Sequence, residues 1–101
     1  MMIALEEAVM EIIVNAGQSR SLCFEALHAA RQGNLDEAKS RLREAEGYAR
    51  QAPTLQTKLI AQDAGEARQP MTLIMVHAQD HLMNSLLARE LSEEIIHLYQ
   101  R

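Results

Sequence analysis

Aromatic residues are scarce in this chain, at 3% with no tryptophan, and β-branched residues seldom come in runs. Both kinds are enriched in strands, so a sheet has little to be built from. Only two prolines and four glycines interrupt 101 residues rich in alanine, leucine, glutamate and glutamine, and the simplest fold class is all-α. Cys23 stands alone, which excludes an internal disulfide and suits a small core residue in a reducing cytosol. There is no run of 18 apolar residues and no basic segment leading into an apolar one, so the sequence predicts a cytoplasmic protein without leader or membrane insertion. The charge balance is acidic, a formal −4 from 10 Lys and Arg against 14 Asp and Glu. That excludes the basic footprint of non-specific nucleic-acid binding. A Gly-x-x-x-x-Gly-Lys-Ser/Thr loop or other nucleotide motif is also missing.

What remains reads as three helices in one domain spanning 1–101. The first covers about 3–32, with Leu5, Val9, Ile12, Ile13, Ala16, Leu22, Cys23, Ala26, Leu27 and Ala30 recurring at three and four residues. Gly17 falls inside it, either a weak spot costing about 1 kcal/mol against alanine or a place where another helix comes close. Gly33 is suited to end this helix and Asn34 to begin the next, with Glu37 three residues on. So short a turn favours an antiparallel hairpin. The second helix covers about 35–62, repeating Leu35, Ala38, Leu42, Ala45 and Ala49, with Lys39, Arg41, Arg43, Glu44 and Glu46 on a solvated face. Pro53 removes an amide donor and crowds the carbonyl four residues back, so a kink or short break is expected near Ala49 to Pro53. A polar loop from Asp63 to Pro70 leads to a third helix at about 72–99.

The third helix carries two apolar stripes. Met75, Leu82, Leu86 and Ile96 face one way, and Leu73, Val76, Met83, Leu87, Leu91, Ile95 and Leu98 face another. One short subunit struggles to cover both, which predicts self-association through the second stripe. Asp80 occupies a position of that stripe where the spacing calls for an apolar residue. If several chains meet there, several carboxylates converge, and a hard divalent cation with oxygen ligands would neutralise them.

His77 and His81 lie an estimated ~40° apart on this helix, and Asp80 about 60° to the other side of His77. Buried polar groups are costly without partners, so the trio suggests three things. It is a transition-metal site, with a carboxylate completing a histidine pair. It is a structural polar network. Or one histidine is a nucleophile toward phosphorus, with the other histidine and Gln79 donating to the phosphoryl oxygens. A phosphoprotein donor would make a nucleotide loop unnecessary. His28 and His97, on an outer turn and near the end, read as solvated surface residues. Met71 and Met75, near His77, are candidates for docking a partner.

Ile13-Val14-Asn15-Ala16-Gly17-x-Ser19-Arg20-Ser21, Gln56-Thr57-x-Leu59-Ile60 and Met75-Val76-His77-Ala78-Gln79-Asp80-His81-Leu82-Met83-x-Ser85-Leu86-Leu87-Ala88-x-Glu90-Leu91 stand in this order along the chain. Together they resemble the enzyme IIA component of the lactose and cellobiose/diacetylchitobiose class of the bacterial sugar phosphotransferase system. The resemblance implies a three-helix subunit in a parallel homotrimer, a nine-helix bundle. It implies that His77 accepts a phosphoryl group from phospho-HPr and passes it to a cysteine of enzyme IIB, with Gln79 and His81 lining the phosphoryl site. It also implies that Asp80 meets its two symmetry mates around a metal on the three-fold axis, and Mg²⁺, one per trimer, is the expected ion. The sugar itself would not be bound by this chain. The competing reading is a non-catalytic trimeric regulator or metal-binding scaffold of the same fold, and the intact His77 block favours the carrier.

Overall fold

The structure is a computed structural model that describes the backbone of residues 5–64 and 72–101 and the side chains of 6–51 and 72–101. Three helices account for nearly all of it: α1 (Leu5–Arg31), α2 (Leu35–Ala64) and α3 (Leu73–Tyr99). No strand occurs among the described residues, and the fold class is all-α.

The turns follow from local chemistry. At the end of α1, Gly33 takes φ +89°, a conformation that costs any residue with a Cβ. Its N–H donates to the Ala30 carbonyl at 3.0 Å and the Asn34 N–H to the Ala29 carbonyl at 2.9 Å. These two bonds form a Schellman cap. The Asn34 carbonyl then accepts from the Ala38 N–H at 3.0 Å, which opens α2. At the start of α3 the Thr72 hydroxyl accepts from the Met75 N–H at 3.2 Å, satisfying one of the orphan amides of the first turn.

The short break expected at Ala49 to Pro53 is absent, because α2 is helical without interruption from Leu35 to Ala64. Proline removes one amide donor, and in a helix of 30 residues the turns on either side supply enough hydrogen bonds to carry the backbone through. Asp63 and Ala64, expected in the loop, close α2. The rest of that loop and Met71 lie outside the described residues.

Ala8, Val9 and Ile12 at the start of α1 pack on Met75, Ala78 and Leu82 at the start of α3. At the other end Ala26, Ala29 and Ala30 meet Ala38 of α2 and Ile96 of α3. The chain therefore runs up, down and up, with α1 against both other helices. Small residues at the second contact let the helices approach closely, whereas Ile12, Met75 and Leu82 fill the first. Truncating Leu82, which is fully buried, to alanine would cost about 2–5 kcal/mol. Cys23 packs beside Leu22 and Ala45 as a buried free thiol. The outer face of α2 carries the ion pairs Arg41–Glu37 at 3.7 Å and Arg50–Glu46 at 3.0 Å, one turn apart as the charge spacing implies.

The two stripes of α3 have different fates. Met75, Ala78, Leu82, Ser85, Ser92 and Ile96 are buried against α1 and α2. Leu73, Val76, Met83, Leu87, Leu91 and Leu98 are exposed, Leu73 at 87% and Leu87 at 53%. Met75 is thus a core residue, 7% exposed, and not the docking residue its nearness to His77 in sequence implies. It lies about 160° from His77 round the helix.

Candidate functional site

The Thr72 cap fixes where α3 begins, and the burial of Met75, Ala78 and Leu82 fixes how it is rotated. Those two constraints place the site. His77 comes out exposed on the second turn, and His81, one turn on, is half-buried. Their rings are 6.0 Å apart between centroids with planes 11° apart. Spacing of four residues brings them together because side chains so related sit one above the other.

Asp80 is exposed as well, with Val76 four residues before it and Met83 and Leu87 three and seven after, all exposed. Its carboxylate therefore belongs to the uncovered apolar stripe. Among the described residues, no three His, Cys, Asp or Glu side chains of one chain come together as a metal site.

The structure does not bring Gln79 to His77. Two residues apart on a helix means about 200° of rotation, and the Gln79 amide donates to the sulfur of Met75 at 3.8 Å on the inward side. His28 is exposed on a shallow surface groove with Glu25, Gln32, Glu37 and Arg41. His97 is exposed beside Lys39, Arg43 and Arg89. Neither has a place near His77.

One neighbour of the pair is not among the residues picked out as its helpers. A Cβ built on Gly17 of α1 would stand 3.6 Å from Nε2 of His81. The only sequence signal for it is a glycine in the middle of a helix that otherwise has no use for one.

An exposed imidazole, backed by a second one and held on a capped, well-packed helix, is equipped for nucleophilic group transfer. No helix among the described residues is long and apolar enough to cross a membrane. The pattern of the family described as PTS system, lactose/cellobiose specific IIA subunit matches residues 7–100. The chain is 48% identical over 97 residues to the N,N'-diacetylchitobiose-specific EIIA component of the phosphotransferase system of Escherichia coli (strain K12), covering 96% of this chain and 84% of that protein. The crystal structure of the cellobiose-specific enzyme IIA from Bacillus anthracis superposes with a TM-score of 0.92 at 37% identity, covering 99% of this chain and 92% of that one. Solution structures of the IIA(Chitobiose)-HPr complex of Escherichia coli match with a TM-score of 0.83 at 47% identity, over 97% of this chain and 95% of that one. The fold and the sequence thus fall within a class of phosphotransferase components. The chain belongs to the lactose/cellobiose-specific IIA subunit family of the phosphotransferase system.

Proposed function

We propose that this chain is a cytoplasmic phosphohistidine carrier that takes a phosphoryl group from phospho-HPr onto His77 and hands it to a cysteine of enzyme IIB. The observation that carries the reading is the exposed His77 imidazole, with His81 beside it, inside the stretch 7–100 that matches the family. HPr as donor is supported by the complex of the 47% identical IIA(Chitobiose) protein with HPr. The sugar served is of the lactose, cellobiose or diacetylchitobiose type, as in the relatives. It is handled elsewhere in the system.

In the first step a ring nitrogen of His77 attacks phosphorus. A nitrogen–phosphorus bond forms as the bond to the donor breaks, and the electron pair stays with HPr. In the second step the sulfur of the enzyme IIB cysteine attacks, the new nitrogen–phosphorus bond breaks, and the electron pair returns to the imidazole. Such transfers depend on positioning and on stabilising the charge on the phosphoryl oxygens. On this reading His81, beside His77, donates to one of those oxygens. Gln79, whose amide donates to the sulfur of Met75 in its own chain, would join it at the phosphoryl oxygens.

The uncovered stripe of α3 supports assembly as a homotrimer, in which three copies bury Leu73, Val76, Met83, Leu87, Leu91 and Leu98 against one another. Asp80 suits a divalent cation there, since its exposed carboxylate sits on the apolar seam and three copies would bring three together. Mg²⁺ bound by the three Asp80 carboxylates and retained waters would cancel their mutual repulsion, a structural task apart from transfer. The test is incubation with phosphoenolpyruvate, enzyme I and HPr, followed by intact mass measurement of wild type and His77→Ala.

A further inference from the structure

We infer that Gly17 is a positioning residue for the phosphoryl site, because a small residue at this point of α1 leaves the imidazole of His81 a seat against the helix. The inference rests on the reading of His77 as the acceptor. Three observations support it. The His81 ring is half-buried while its neighbour His77 is exposed, so something covers one side of it. That cover includes α1 at Gly17, where a Cβ would lie 3.6 Å from Nε2. The ring so seated is nearly parallel to that of His77.

The magnitudes decide what position 17 tolerates. At 3.6 Å a methyl group makes an ordinary van der Waals contact with Nε2, so alanine fits and also gains helix propensity. Valine carries two further carbons on its Cβ, cannot swing both away in a helix, and must push the ring outward. Valine is no poorer a helix former than glycine. Its effect is therefore one of bulk at the ring.

Gly17 acts through His81 and touches neither donor nor phosphoryl group. In wild type, nuclear Overhauser contacts should link the Gly17 α protons to the ring protons of His81. Gly17→Ala should keep the rate of phosphoryl uptake from HPr within about twofold. Gly17→Val should lower it about tenfold or more and shift the ring resonances of His81, leaving those of His28 and His97 in place. In a His81→Ala background the valine should cost less than twofold, since the ring it displaces is gone. The proposal is overturned if the wild-type contacts are missing, if alanine is as harmful as valine, or if valine costs the same factor with and without His81. The wild-type contacts test the seat even if Gly17→Val does not fold. They are also independent of phosphorylation, so an unphosphorylated His77 would sink the reading of function while leaving the contact standing.

Discussion

The imidazoles of His77 and His81 lie nearly parallel, 11° between planes and 6.0 Å between centroids, one exposed and the other half-buried. The asymmetry suits the division of work proposed for them. A nucleophile has to meet a partner protein and needs exposure, whereas a hydrogen-bond donor has to stay put and gains from being packed.

His81→Ala should therefore still be phosphorylated at His77, only more slowly. Losing one hydrogen bond to a charged group, about 1.5–3 kcal/mol, corresponds to roughly a tenfold to hundredfold lower rate. Rapid-quench measurement of uptake from phospho-HPr checks this, and an unchanged rate removes His81 from the phosphoryl site.

Leu91 is 53% exposed in the chain alone and lies in the middle of the uncovered stripe of α3. Three copies would bury it, and a charge placed there would be costly to desolvate. Wild type should scatter light as three times the 11.4 kDa chain, and Leu91→Glu should fall apart toward monomers at micromolar concentration. A wild-type monomer contradicts the stripe as a self-association surface.

On the proposed reading, a cation shared by the Asp80 carboxylates would tie assembly to metal. Chelator should lower the melting temperature of the wild-type trimer. Asp80→Leu should lose that sensitivity and melt at the same temperature or higher, since apolar replacement of buried charge is often neutral or stabilising. Phosphoryl uptake at His77 should survive in this variant. A wild-type melting curve indifferent to chelator, together with a negative elemental analysis, contradicts metal at Asp80.

Cys23 supplies a pH dependence with a definite sign. Burial pushes its thiol above the ordinary 9.0, against smaller opposing effects of the nearby Ser92 hydroxyl, the Arg89 charge and the Ser19 hydroxyl. A raised value in the folded state means that the fold favours the protonated thiol. That contribution is complete below the unfolded pKa and is lost as pH rises through the folded one. Urea midpoints should decline above the ordinary 9.0 more steeply in wild type than in Cys23→Ala. At neutral pH, alkylation of the folded protein should be at least about a hundredfold slower than of the unfolded chain.

The turn between α1 and α2 was legible because it is local: Gly33 and Asn34 need no distant partner. The outward stripe of α3 was legible too, since seven-residue spacing repeats from Leu73 through Leu87 and makes Asp80 conspicuous. Of the kink or short break expected at Pro53, the break does not occur. One missing amide does not break a helix whose neighbouring turns stay bonded, and α2 continues. Met75 shows the cost of taking nearness in sequence for nearness in space, because it is buried about 160° from His77 round the helix. The seat of His81 on Gly17 joins residues on different helices, so no local pattern encodes it.

The most direct test of the central claim is the mass of the protein after incubation with phosphoenolpyruvate, enzyme I and HPr. Wild type should gain one phosphoryl group per chain, labile to acid and stable to base as a phosphoramidate is, and His77→Ala should fold yet gain none. A full phosphoryl group on His77→Ala, or an acid-stable one on wild type, would contradict the assignment of His77 as the acceptor.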